Sequence, residues 1–187
     1  MRRTFFVCLS SALLAAAFSA TSAFAATQME TIASTLHNSQ FTPRVENLIK
    51  QGRLAQAVEL ADLGIARNPK NAQLQFMRSV ALERLGRTEE AAQQLRSLIS
   101  QYPEIPEPYN NLAVIEAGFG NLEDAVRLLL QALNLNAQFA TARKNLGDVY
   151  LALALENYEK AAPVLQENAQ LAQRLKTLRR LTGKTQD

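Results

Sequence analysis

The side chains that carry out acid–base, nucleophilic or metal chemistry are thinly spread in this sequence. It has one histidine, His37, and one cysteine, Cys8. A Ser-His-Asp or Cys-His arrangement needs an imidazole oriented by a third group, and a zinc site needs three or four ligands; His37, alone in a run of Thr, Ser, Gln and Asn, supplies neither. The glycines do not form a phosphate cradle either. Gly52, Gly86 and Gly120 each stand apart, unlike the clustered glycines of GxxxxGKS/T or GxGxxG. The acidic pairs Glu89-Glu90 and Glu123-Asp124 each open a stretch of helix-forming residues, where the positive end of the helix dipole accounts for them. Every reaction type lacks at least one required group, so no enzyme activity, cofactor or metal is expected.

Cys8 leaves the account altogether with the N-terminal segment. Arg2 and Arg3 precede an apolar run from Phe5 to Ala17, and Ala23-Phe24-Ala25 has the small-x-small form of a signal peptidase site. Residues 1–25 therefore read as a cleavable signal peptide with Ala26 as the new start, and not as a span, because Ser10, Ser11 and Ser19 interrupt the run. Arg2-Arg3-Thr4-Phe5-Phe6 resembles a twin-arginine signal, but two basic residues are also what any secretory leader carries, which favours the general route. Removing the leader takes the formal charge from +3 to +1. A near-neutral chain lacks the positive excess that nucleic-acid binding requires. The expected location is the bacterial periplasm, with no membrane span after cleavage. The abundance of Ala, Leu, Gln, Glu and Arg over Val, Ile and Thr predicts helix throughout.

The elements repeat. Gly52, Gly86 and Gly120 recur every 34 residues, opening GRLAQAVELA, GRTEEAAQQL and GNLEDAVRLL, and Pro69 and Pro103 share the same period. Residues 26–42 read as a polar linker, with Met29, Ile32, Ala33 and Leu36 at the spacing of a short amphipathic helix. Thr42-Pro43 starts the first helix, 43–51, with Thr42 as cap. Gly52-Arg53 turns the chain into helix 54–67, whose stripe is Ala57, Leu60, Ala61 and Gly64, and Asn68-Pro69 stops it. The second unit follows as helix 71–85, a turn at Gly86-Arg87, and helix 88–101 capped by Thr88. The third begins after Ile105-Pro106-Glu107-Pro108, runs from Tyr109 to Gly118, turns at Gly120-Asn121 and continues to Asn134. Ala137 replaces its closing proline, which predicts a looser junction. A fourth, partial unit spans Phe139 to Glu156 without a turn glycine. That helix is either longer than its counterparts or ends in an irregular turn, and Pro163 suits the first turn of a next helix starting near Glu159. The chain closes with a helix from Val164 to Leu181.

These units resemble tetratricopeptide repeats. The third carries Tyr109, Leu112, Ala113, Gly120, Ala125, Leu129 and Ala132 in the family's register; the fourth carries Leu146, Gly147 and Tyr150, then Tyr158-Glu159-Lys160-Ala161. Ala57, Ala91 and Ala125 are 34 apart, but Ala161 follows after 36. The resemblance implies an all-α solenoid of about three and a half helix-turn-helix repeats over 43–162, with a C-terminal helix and tail over 163–187. In that last helix Leu171, Leu175 and Leu178 form a stripe that caps the last repeat. The competing reading is a dimerisation helix, in which Val164, Asn168 and the three leucines alternate four and three apart.

The resemblance also implies function: such proteins bind extended or helical peptides in a concave groove lined by the first helix of each repeat. By helical position the groove residues are Gln73, Phe76, Val80, Glu83 and Arg84; then Asn110, Val114 and Ala117; then Lys144, Asp148 and Leu151. Arg84, Asn110 and Lys144 are placed to hydrogen-bond a peptide backbone or carboxylate, and Phe76 and Val80 to give apolar contact. Asn111 and Asn145 stand where the family often uses asparagine for packing between helices. The basic clamp for C-terminal carboxylates is incomplete. The expectation is a non-enzymatic adaptor or scaffold of the cell envelope that binds protein or peptide partners. The alternatives are a self-associating structural protein acting through the C-terminal helix, or a cell-wall or anionic-lipid binder using Arg174, Lys176, Arg179, Arg180 and Lys184.

Overall fold

Three left-handed glycines set the turns. Gly52, Gly86 and Gly120 have φ of 72°, 79° and 87°, a region open to glycine because it has no Cβ. The residue after each donates its N–H back across the turn: Arg53 to the Leu48 carbonyl at 2.9 Å, Arg87 to Leu82 at 3.0 Å and Asn121 to Glu116 at 2.9 Å. Each such bond satisfies a carbonyl that the ending helix leaves over, so one helix closes before the next begins. The structure, a computed structural model, describes residues 28–183. The signal peptide read over 1–25, and Lys184 in the tail, lie outside the described residues. Among the described residues every regular element is helical. The chain divides into two compact units, one up to Ala91 and one from Ala92.

In the first unit, helix α1 occupies 28–35, with Met29 and Ala33 buried. The segment read as a polar linker thus carries a helix, held by the apolar spacing it contains. A 3₁₀ turn over Asn38–Gln40 leads into α2 (Phe41–Lys50), followed by α3 (Leu54–Arg67) and α4 (Ala72–Arg84). The expected start at Pro43 with Thr42 as cap is corrected: α2 begins at Phe41 behind Gln40. Pro43 is its third residue, still inside the first turn, where the missing donor had no partner. Phe41 is 1% exposed, and Arg67 of α3 lies 5.3 Å from its ring centre. The stripe on α3 is as read, with Ala57, Leu60, Ala61 and Gly64 buried. Asn71 caps α4, its side chain accepting from Leu74 N at 3.0 Å.

The division falls inside α5 (Thr88–Gln101), whose first residue is Thr88, within the helix and not ahead of it. The second unit continues with α6 (Pro106–Gly118), α7 (Leu122–Leu135), α8 (Ala140–Ala161) and α9 (Ala169–Thr182). Helix α6 starts earlier than expected, because Pro106 opens it and fits the first turn. Tyr109, Ala113, Ala125, Leu129, Ala132, Ala142, Leu146 and Val149 form one cluster that ties α6, α7 and α8 together. The junction at Ala137 is not looser. Asn136 adopts φ −141° and ψ 93°, close to the −137° and 82° of Asn68 before Pro69. Asn136 Oδ1 accepts from Gln138 N at 3.1 Å and Arg143 Nη2 donates to the Ala137 carbonyl at 3.0 Å, so hydrogen bonds hold the shape that proline holds elsewhere.

The fourth repeat departs most from expectation. With no glycine to end it, α8 runs unbroken for 22 residues, and no second helix starts near Glu159. Pro163 lies in the loop that follows. The last helix begins at Ala169, not Val164, with Asn168 capping it by accepting from Leu171 N at 2.9 Å. The four-three seam from Val164 is therefore corrected: Val164 is 84% exposed ahead of the helix and Asn168 is its cap. Leu171, Leu175 and Leu178 are buried with Leu155 of α8, the capping arrangement.

Candidate functional site

On α4, Gln73, Phe76, Val80 and Arg84 are spaced three, four and four residues apart and share one face; Gln73 and Arg84 are exposed, and Phe76 and Val80 half-buried. Such a stripe presents two polar ends around an apolar middle. Glu83 is exposed beside it.

In the second unit the corresponding positions lie on α6 and α8, and hydrogen bonds register the two helices. Asn145 Nδ2 donates to Asn110 Oδ1 at 2.9 Å, and Asn110 Nδ2 donates to Asn111 Oδ1 at 3.0 Å. Asn110 is 5% exposed, so its amide aligns the helices and is not presented to solvent as a peptide contact. The three asparagines form a ladder across α6 and α8. Beside it Val114 stands 47% exposed, and Lys144 Nζ pairs with Asp148 Oδ2 at 2.6 Å, both side chains largely exposed. This i,i+4 pair neutralises the lysine locally and is worth only a few tenths of a kcal/mol to the helix. Leu151 is half-buried and packs among the α8–α9 leucines.

One buried charge in this unit has no counterpart among the groove residues. Glu116 sits 34 residues after Leu82 and 34 before Tyr150, a register position otherwise apolar or aromatic. It is 6% exposed, and its carboxylate accepts from Arg96 Nη2 at 2.5 Å and from Asn121 Nδ2 at 2.7 Å. Glu116 was not among the expected site residues, although a glutamate in an apolar register is itself the signal for a compensating donor. Electrostatics elsewhere are local. The Arg87 hydrogen bond holds the Glu90 carboxyl below its usual range, and Glu59 is raised, first by partial burial and then by Glu30 and Asp62. Among the described residues no cluster of His, Cys, Asp or Glu is able to hold a metal ion.

Comparison with known proteins identifies the repeat and the fold. A family profile described as Tetratricopeptide repeat matches residues 43–106 and 110–173, well over half of the chain. The fold is shared with solved structures. The first TPR of Spaghetti (RPAP3), bound to the HSP90 peptide SRMEEVD, aligns at 20% identity over 63% of this chain and 93% of its own, with a TM-score of 0.59. The second TPR domain of human RPAP3, in complex with the HSP70 peptide SGPTIEEVD, aligns at 22% identity over 59% and 92%, with a TM-score of 0.55. A thermophilic TPR protein of Thermus thermophilus aligns at 20% identity over 79% and 84%, with a TM-score of 0.58.

Proposed function

The chain belongs to the tetratricopeptide-repeat family, and from that premise we propose that it is a non-enzymatic adaptor or scaffold that binds partner proteins through peptides laid along the first helices of its repeats. What supports this is the asparagine ladder between α6 and α8. It fixes two helices side by side at the cost of one buried amide, and leaves Val114, Lys144 and Asp148 outside it, uncovered. Two RPAP3 domains are named with peptides ending in EEVD. Here Lys144 already has Asp148, and Asn110 has its amide engaged. The exposed positions therefore suit a peptide of mixed apolar and polar side chains better than one ending in several carboxylates. Affinity capture with the chain tests this: a specific partner is recovered, and Phe76→Asp, Arg84→Glu or Val114→Asp reduces it. Recovery unchanged in all three variants overturns the groove.

We place this adaptor in the bacterial cell envelope, exported to the periplasm, on the strength of Arg2-Arg3, the apolar run from Phe5 to Ala17 and Ala23-Phe24-Ala25. No helix among the described residues is long and apolar enough to cross a membrane. Expression of the full chain with a C-terminal tag, followed by fractionation, tests the location: the product appears in the periplasm shortened by the leader. Full-length product confined to the cytosol overturns it.

A further inference from the structure

The missing second helix of the fourth repeat leaves a face of α8 bare. In α6 the stripe Tyr109, Ala113 and Glu116 is 8%, 0% and 6% exposed, and Tyr109 and Ala113 pack with Ala125, Leu129 and Ala132 of α7. Thirty-four residues later the same stripe on α8 is Arg143, Gly147 and Tyr150. All three are exposed, Tyr150 to 49%, and a Cβ built on Gly147 would meet nothing within 4 Å. The neighbouring edge changes in step. Arg96 and Glu116 form an ion pair at 2.5 Å; the residues 34 further on are Leu130 and Tyr150, 48% and 49% exposed.

Helix lengths explain the gap. At 1.5 Å per residue α8 is about 33 Å long and α9 about 21 Å. Helix α9 folds back onto the C-terminal half of α8, where its leucines meet Leu155 and its Arg174 and Arg179 reach Tyr158 and Glu159. In the other half of α8, Ala142, Leu146 and Val149 pack on α6 and α7, while the face that bears Arg143 and Gly147 stays exposed.

We infer that this face of α8 is a docking slot for an amphipathic helix of a partner protein, one with apolar residues spaced as Ala125, Leu129 and Ala132 are and with acidic residues in its first turn. In the preceding hairpin a helix of that spacing fills the matching stripe of α6. Gly147 adds room, since a missing side chain lets two helix axes approach closely. Helix α9 supplies the complementary charge. A helix lying antiparallel to α8, as α7 lies to α6, points its first turn at Ala154 and Tyr158. There a cavity of about 360 Å³ opens, lined also by Gln173, Arg174 and Thr177. Arg174 lies 5.8 Å from the Tyr158 ring centre and has no carboxylate partner among the described residues. Acids placed like Glu123-Asp124 meet it, at the helix end where acids are favoured in any case. The slot uses Arg143, Gly147 and Tyr150, a different stripe from the groove position Lys144-Asp148, and does not rest on the groove.

The test titrates the full chain into a fluorescently labelled peptide with the sequence of residues 122–135, the chain's own helix of the required pattern. Saturable binding with gain of peptide helicity is expected. Gly147→Leu, whose Cβ meets no atom of another element within 4 Å, fills the slot and weakens binding roughly tenfold or more, a loss of about 1.4 kcal/mol, and leaves the chain's own melting temperature no lower. Arg174→Glu weakens it too, and a peptide carrying Glu123→Lys and Asp124→Lys restores binding to that variant. Val114→Asp and Lys144→Glu leave it unchanged. Absence of saturable binding overturns the proposal, as does equal affinity for Gly147→Leu, or loss of binding in the two groove variants. Light scattering that shows a dimer turned monomeric by Gly147→Leu overturns it as well, because the slot then belongs to a second copy of this chain.

Discussion

Two glycines in ordinary right-handed helix, Gly64 in α3 and Gly147 in α8, make opposite predictions for the same substitution. Replacing either by alanine removes backbone freedom from the unfolded chain and gains about 0.5–1 kcal/mol. At Gly147 nothing opposes that gain, because beyond its own stretch of helix the new Cβ meets no atom within 4 Å. At Gly64 the Cβ would lie 2.5 Å from Phe41 Cδ1, 2.6 Å from Leu74 Cδ2 and 2.8 Å from Phe41 Cγ. Carbon atoms in contact prefer about 3.5–4.0 Å, so the overlap is roughly 1 Å or more. Phe41 and Leu74 are each 1% exposed and have no open space to move into. Overpacking of this kind costs about 1–3 kcal/mol, and contact with the root of a rigid ring puts it near the top of that range. The net expectation for Gly64→Ala is a loss of about 2 kcal/mol, against a gain of up to about 1 kcal/mol for Gly147→Ala. Thermal melts by far-ultraviolet circular dichroism should show Gly64→Ala lower by about 4–8 °C and Gly147→Ala higher by about 1–4 °C. A Gly64→Ala protein as stable as the wild type would refute the packing argument.

Three other perturbations follow from the same geometry. Arg96→Ala leaves the buried Glu116 carboxylate with Asn121 alone and should cost about 1–3 kcal/mol in urea unfolding; adding the apolar pair found 34 residues later, as Arg96→Leu with Glu116→Tyr, should bring stability back to within about 1 kcal/mol of wild type. Asn168→Ala removes the cap of α9 and should cost about 0.5–2 kcal/mol, seen as faster amide exchange over residues 169–175 with α6 unaffected. Glu59 is raised in the folded state by partial burial and by Glu30 and Asp62, so the folded chain binds that proton more readily than the unfolded one and stability rises as pH falls through the raised value. Glu59→Gln should therefore stabilise at neutral pH by less than about 0.5 kcal/mol, and the difference should vanish once the pH is below the carboxylate range. A difference that grows on acidification contradicts this assignment.

Much of the fold was legible because its rules are local. A glycine with positive φ, the backbone bond across it and an apolar stripe three and four residues apart are each written within a dozen residues, so α3 and α5 fall where the sequence puts them. Helix starts were less legible. Prolines at 43, 106 and 108 mark a first turn without saying which of its positions they hold, and the helices at Phe41 and Pro106 begin before the expected residue. Of the groove residues, helical position alone put Gln73, Phe76, Val80 and Arg84 on one face of α4. It could not separate Asn110, which turns inward to Asn145, from Val114 four residues on, which stays in solvent.

The sequence by itself determined the all-α class, the 34-residue hairpin and the family, because repeated local signals agree with one another and need no partner to be read. Tertiary structure decided what happens where a signal is missing. Without a glycine near Leu155 nothing local ends α8, so its length depends on what packs against it, and α9 covers only the half that holds Leu155. Burial is a property of neighbours brought together by the whole fold. That is why Glu116 and Tyr150, in the same register of successive repeats, end respectively as a buried ion-pair partner and as an exposed aromatic side chain.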